Sequence, residues 1–228
     1  MTLLGLKEIA ASLPYLLKVG LTFSLTLTAL AAAFGLMLGT LLALCRMSPS
    51  RLLSTPATLY VNGMRSVPLL LVIFWFYFLA PYVGAWIVHS PTPVDVGAYR
   101  SAVITFTLFE SAYFCEIMRA GIASIARGQV QAGLALGLSY RQTMIAVVLP
   151  QAVRNMTPAL LTRVITLFQD TSLVYVLSMT DFFGAASEIA ARDGSTVPMY
   201  VLAAVVYFGI CFGASRFIKR FETVRHAH

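Results

Sequence analysis

The stretch GLTFSLTLTALAAAFGLMLGTLLALC, running from Gly20 to Cys45, contains no ionisable acid or base other than its terminal cysteine. A hydrocarbon core about 30 Å thick is crossed by roughly 20 predominantly apolar residues in a helix, so this stretch is long enough to span it. Ala31, Ala32 and Ala33 resemble the small residues of a signal-peptide cleavage site. The apolar run continues past them to Cys45, which is too long for a signal h-region, so the segment is read as a retained span.

Four further stretches of similar length are predominantly apolar with few ionisable residues, at 60–80, 98–117, 152–168 and 198–217. In a chain of 228 residues that is 59% hydrophobic and 11% charged, with a mean hydropathy of +0.83, they predict an all-α membrane protein with five transmembrane helices in one domain, 1–228. Span one alternates large residues with Gly20, Ser24, Thr28, Ala32, Gly35, Gly39 and Thr40, a small face that lets helices approach closely where lipid removes the hydrophobic drive to associate. Residues 3–17 mix apolar positions with Lys7, Glu8, Ser12 and Pro14, which predicts a short interfacial helix before the first span.

A net charge of +7 would suggest nucleic acid in a soluble protein, but here the bases flank spans. Arg46 and Arg51 follow span one, Arg119, Arg127 and Arg141 lie between spans three and four, and Arg216, Lys219, Arg220 and Arg225 follow span five. The alternate loops carry only Arg100 and Arg192, with Lys7 and Lys18 before span one as a contrary signal. The positive-inside bias then places the amino terminus outside and the carboxyl terminus in the cytoplasm. Cys45, Cys115 and Cys211 form no CxxC pair and imply neither disulfides nor metal.

Pro68 is expected to break or bend the start of span two, and the loop bounded by Pro81 and Ala98, rich in proline and glycine, is expected to be an ordered outer turn. The long polar segment 119–150 has helical apolar spacing over 130–137, a stop at Gly137, and a second helical stretch from Tyr140 to Val148 ending at Leu149-Pro150. Gly137 suits the left-handed residue that ends a helix, and Ser139 suits the cap of the next one.

This pattern resembles the EAA loop of ABC importer permeases, Glu-Ala-Ala, three residues, Gly, nine residues, Ile, any residue, Leu-Pro. Here it stands as Gln131-Ala132-Gly133, Gly137, Val147 and Leu149-Pro150, departing at Gln131, Gly133 and Val147. Further matches are Arg65-Ser66-Val67-Pro68, Ala112-Tyr113 with Glu116 and Arg119-Ala120-Gly121-Ile122, and Gln169-Asp170-Thr171-Ser172-Leu173. These are similar to the polar amino-acid branch. The stretch 168–177 with Arg192-Asp193-Gly194 is most similar to glutamate/aspartate importer permeases.

The resemblance implies a multi-pass permease of the bacterial inner membrane, whose loop 119–150 docks on a separate ATP-binding subunit dimer. It further implies a second permease chain, the same or homologous, a substrate-binding protein, and an amino-acid substrate, glutamate or aspartate. This chain would bind no cofactor, and ATP and Mg would be used by the partner subunit, so the chain itself is not expected to be an enzyme. No GxxxxGK[ST], HExxH or GxSxG motif occurs, and His89, His226 and His228 are peripheral. An ion-coupled secondary transporter would carry paired repeats and a whole pathway in one chain, and no repeat is found.

Ionisable groups inside spans cost a few kcal/mol on insertion scales, which makes Glu110, Arg163 and Asp170 candidates for a substrate pathway. Glu110 suits either the ammonium of an amino acid or a packing hydrogen bond to Ser111 or a facing threonine. Arg163 and Arg65 suit substrate carboxylates, although Arg65 also suits snorkelling to the interface. Asp170 suits the cap of a following short helix or the lining of the path. Glu116 and Arg119, three apart, are expected to form an ion pair.

Overall fold

The computed structural model describes residues 11–226, with side-chain surroundings given over 11–220. Every regular element among the described residues is helical: α1 (Ala11–Met47), α2 (Arg51–Ser66), α3 (Leu69–Ile87), α4 (Ala98–Ala123), α5 (Arg127–Ala135), α6 (Tyr140–Leu177), α7 (Phe182–Asp193) and α8 (Thr196–His226). Five of them, α1, α3, α4, α6 and α8, are long and apolar enough to cross a membrane. The expected interfacial helix at 3–17 falls largely outside the described residues.

The central helix is α4, with 61% of its most apolar window buried against 17–33% for the other spans. It runs parallel to α1. Tyr99 and Phe23 meet edge to face at 5.3 Å near one end, Gly35 and Gly39 pass Glu110, Ser111 and Phe114 in the middle, and Arg46 pairs with Glu116 near the other. A Cβ on Gly39 would stand 2.8 Å from the Phe114 Cβ and 2.9 Å from the Ser111 carbonyl, so the small face of α1 sets how closely the helices approach. α6 lies antiparallel to α4, with Gly121 against Met156 and the Asn155 amide donating to Ser124 Oγ at 2.9 Å. Leu27, Val72, Ile73, Phe106 and Leu167 fill the space between α1, α3, α4 and α6. A second cluster, Leu16, Phe182, Ala186, Met199 and Ala203, ties α7 to the start of α1 and to α8.

Several element boundaries differ from the sequence reading: α1 already runs from Ala11, not Gly20, and α4 and α6 continue to Ala123 and Leu177, not to 117 and 168. The second span begins at Leu69 rather than at 60, because Val67 and Pro68 are extended (ψ 137° and 135°) and cut residues 60–66 off into the separate helix α2. A residue before proline is pushed out of the helical region by the ring, which accounts for Val67. The same span runs on through Pro81 to Ile87. The fourth span does not begin after Leu149-Pro150 but is continuous from Tyr140 to Leu177. In both cases the turn ahead of the proline is widened: Ala80 N–H donates to Trp75 O and Leu149 N–H to Met144 O. A wider turn eases the clash of a proline ring with the preceding carbonyl, so the helix survives where the sequence suggested a stop.

Candidate functional site

The segment joining α4 to α6 folds as the helix, turn and helix read from its spacing. α5 ends in a Schellman motif: Leu138 N–H donates to Gly133 O at 3.1 Å and Gly137 N–H to Leu134 O at 3.0 Å, with Gly137 left-handed at φ +82°. Ser139 Oγ accepts from Gln142 N–H and the Gln142 side chain accepts from Ser139 N–H, a reciprocal capping box that starts α6. The two helices touch through Gly133, where a Cβ would come within 2.6 Å of Thr143 Cγ2. Gln131 and Ala132 lie in the last turns of α5, Val147 lies in the widened turn of α6, and Leu149 and Pro150 follow it. Leu134, Leu136, Tyr140 and Ile145 stand exposed around this hairpin, Leu136 at 82%.

Next to the hairpin, Glu116 on α4 gathers three arginines. Arg46 of α1 and Arg119 pair closely with it, and Arg65 at the end of α2 lies 3.6 Å away. The sequence located the Glu116–Arg119 pair, which is local, but not Arg46 or Arg65, which arrive from other helices.

Deeper in the bundle, Arg163 of α6 grips Glu110 of α4. Its Nε donates to Glu110 Oε2 at 2.8 Å and its Nη2 to Oε1 at 2.5 Å, while Nη2 also reaches Asp170 Oδ2 at 3.4 Å. The Glu110 side chain is 0% exposed, Arg163 14% and Asp170 27%. Glu110 therefore has its buried charge matched by a fork of two donors, as burial of a carboxylate demands. Its partner is Arg163, not Ser111, whose hydroxyl donates to Leu108 O. Asp170 makes no capping bond to the short turn after it; its carboxylate faces Arg163 instead.

Arg163, Asp170 and Thr166 line a cavity of about 380 Å³ with Arg65, Ser66, Val67, Pro68, Leu69, Phe109 and Tyr113. The Tyr113 ring carries the Arg163 guanidinium carbon 4.0 Å from its centroid and that of Arg65 at 5.7 Å. All three predicted pathway residues thus converge, two of them on the cavity wall. The sequence reading did not anticipate that Tyr113 neighbours both cations, because that depends on how α2 and α6 pack on α4.

Outside the spans, Asp181 caps α7 through bonds from Phe183 N–H (2.9 Å) and Gly184 N–H (3.0 Å), beside Ser24 Oγ, which accepts from Phe182 N–H at 3.1 Å. Burial pushes its carboxyl up to about 6, against the opposing pull of those backbone donors. The Arg192 guanidinium beside Asp193 holds that exposed carboxyl below its ordinary range.

A bundle of five helices long and apolar enough to cross a membrane, with a capped hairpin between two of them, defines a polytopic membrane protein. The model of the family described as binding-protein-dependent transport system inner membrane component matches residues 35–223, and the chain belongs to that family. It is an inner-membrane permease component of an ABC importer, and ATP hydrolysis lies in a separate subunit. Among its relatives, the glutamate/aspartate import permease protein GltK of Escherichia coli O6:H1 is 47% identical over 212 residues, covering 93% of this chain and 94% of that protein. The probable amino-acid ABC transporter permease protein YckA of Bacillus subtilis is 35% identical, covering 95% and 91%. A crystal structure of an amino acid ABC transporter with histidines superposes with a TM-score of 0.87 at 28% identity, covering 98% of this chain and 99% of that one.

Proposed function

We propose that the chain is the permease of an ABC importer that carries glutamate and aspartate inward, with Glu110, Arg163 and Asp170 on or beside the substrate path. The observation that carries this reading is the 47% identity with the glutamate/aspartate import permease over 93% of the chain. The arginines on the cavity wall are consistent with an anionic substrate.

In this reading the hairpin of Gln131, Ala132, Gly133, Gly137, Val147, Leu149 and Pro150 docks on an ATP-binding subunit dimer, which uses ATP and Mg. Its exposed leucines and tyrosine supply the apolar face of the contact. The continuity of α6 supports a direct mechanical link, since one helix carries the hairpin at its start and Arg163 and Asp170 near its end. At 1.5 Å per residue those points are about 35–45 Å apart, and rigid-body motion of the helix would transmit closure of the ATP-binding subunits to the cavity. The amino terminus lies outside, because Arg46, Arg51, Arg119, Arg127 and Arg141 gather at the hairpin end. A second permease chain and a substrate-binding protein complete the assembly.

The test is uptake of labelled glutamate by cells lacking only this gene, complemented with wild type or Gly137→Asp. Wild type should restore uptake that unlabelled aspartate competes, and the variant should not, although it reaches the membrane. Full restoration by the variant would remove the hairpin from the mechanism, and unaltered uptake on deletion would remove the substrate.

A further inference from the structure

The inner face of α7, made of Phe182, Ala185, Ala186, Ile189 and Ala190, packs on Leu16 of α1 and on Met199 and Ala203 of α8 through apolar contacts. Its cap is an acid. Asp181 has no exposed surface, and its carboxylate accepts from Phe183 N–H at 2.9 Å and from Gly184 N–H at 3.0 Å. No lysine or arginine pairs with it among the described residues. The groups that face it are neutral. Ser24 Oγ of α1 accepts from Phe182 N–H, Thr171 Oγ1 at the end of α6 donates to Phe168 O, and the Tyr207 hydroxyl of α8 lies beside all three side chains. That hydroxyl is buried and makes no hydrogen bond. Cys211 follows one turn beyond Tyr207. The charged groups on these elements are engaged elsewhere or exposed: Asp170 faces Arg163, Glu188 accepts from Tyr15, Arg192 pairs with Asp193, and Lys18 is exposed.

A buried carboxylate without a counter-cation is costly, whereas a protonated one keeps acceptor capacity for the two N–H groups and gains an O–H to donate. The oxygen of Tyr207, otherwise unbonded, stands ready to accept it. The two ends of α7 are built to turn: Ser178 before it and Gly194 after it are both left-handed, at φ 57° and 67°. Serine holds that conformation at a cost which release of the helix would relieve. We infer that α7 is a proton-operated latch: Asp181 carries a proton while α7 is docked on α1 and α8, and loss of that proton frees the helix about Ser178 and Gly194. Detached, the carboxyl meets water and has its ordinary value of 3.8; docked, burial holds it up at about 6. Docking is therefore tightest below about pH 4 and weakens as pH rises through 6, by on the order of 100-fold in full and about tenfold between pH 5 and 7. Ser24 stands about 33 Å along α1 from Arg46, so the latch lies at the end of the bundle away from the hairpin. In the orientation proposed above it reads the pH of the outer medium.

Amide hydrogen exchange of the permease assembled with its ATP-binding subunits, followed from pH 5 to 7 and corrected for the intrinsic pH dependence of exchange, tests the latch. In wild type, opening of the amides of 182–193 should rise about tenfold over that range, while the amides of 98–117 in α4 should not follow. Asp181→Asn keeps an oxygen for the cap and has no proton to lose, so its opening should be constant with pH. Ser24→Ala removes an uncharged tether from the Phe182 N–H and should raise opening by the same factor at every pH, leaving the tenfold rise in place. A flat wild-type profile, which needs no variant to be measured, overturns the latch, as does an unchanged rise in Asp181→Asn. A rise shared equally by 98–117 also overturns it, because the whole bundle and not α7 would then be opening.

Discussion

Replacing Glu110 with glutamine keeps the side-chain shape and removes the charge that the fold has buried completely. Arg163 Nε and Nη2 now meet oxygens at 2.8 and 2.5 Å. A glutamine offers one oxygen and turns an amide donor toward the other guanidinium N–H. Arg163, 14% exposed, is left with Asp170 at 3.4 Å as its remaining counter-charge. Removing one member of a buried ion pair costs about 3–5 kcal/mol, and the retained hydrogen bond and the nearby Asp170 place this case near the lower end, about 3 kcal/mol. For a chain of this size that corresponds to a fall in melting temperature of roughly 6–12 °C. Thermal unfolding of the assembled permease in detergent reads the shift. The double variant Glu110→Gln/Arg163→Gln should be less destabilised than the sum of its single variants by about 2 kcal/mol, since the second change removes the stranded charge. Single variants within about 0.5 kcal/mol of wild type, or strictly additive effects, would refute a buried pair that joins α4 to α6.

Gly133→Ala should lower ATP-driven uptake several-fold, because its Cβ would sit 2.6 Å from Thr143 Cγ2 and force the hairpin helices apart; Gly133→Ala/Thr143→Ala should recover most of it, and failure to recover would mean that the hairpin spacing is not what matters. Gly39→Val should destabilise the protein by about 1–3 kcal/mol through overpacking against Phe114, measured by thermal unfolding. Asp181 has a folded pKa, about 6, above its unfolded value near 3.8, so its contribution is fully present below about pH 4 and is lost as pH rises through 6. That shift is worth on the order of 2–3 kcal/mol, and Asp181→Asn, which keeps the cap, should flatten this part of the stability profile between pH 4 and 7. Identical profiles for the two proteins would contradict a buried, desolvated carboxylate at this position.

Local chemistry was readable from the residues alone. Gly137 and Ser139 were identified as turn and cap because left-handed backbone favours glycine and an unpaired helix end favours a serine oxygen, and neither requirement involves distant contacts. Glu116 and Arg119 were legible for the same reason, being three residues apart on one helix. The partner of Glu110 was not legible, because Arg163 is 53 residues away and reaches it only through the antiparallel packing of α4 and α6. The second span starts at Leu69 and not at 60 because residues 60–66, which include Asn62, Arg65 and Ser66, belong to the separate helix α2, divided from the membrane helix by the extended backbone at Val67-Pro68. Pro150 was read as a stop because the widened turn that accommodates it is a backbone adjustment, with no residue type that announces it. For Asp170 the sequence left a helix cap and the lining of the path both open, and in the fold its carboxylate makes no cap and faces Arg163.

The central claim is that this chain forms the path of an importer driven by ATP at the hairpin side of the membrane. The direct measurement is accumulation of labelled glutamate in proteoliposomes holding the permease, its ATP-binding subunits and the substrate-binding protein, with ATP supplied to one side at a time. Accumulation should require ATP on the side that bears Arg127 and Arg141, should be lost with Gly137→Asp, and should be indifferent to collapse of ion gradients. Glutamate accumulation that proceeds without ATP and follows an imposed sodium or proton gradient would contradict the account.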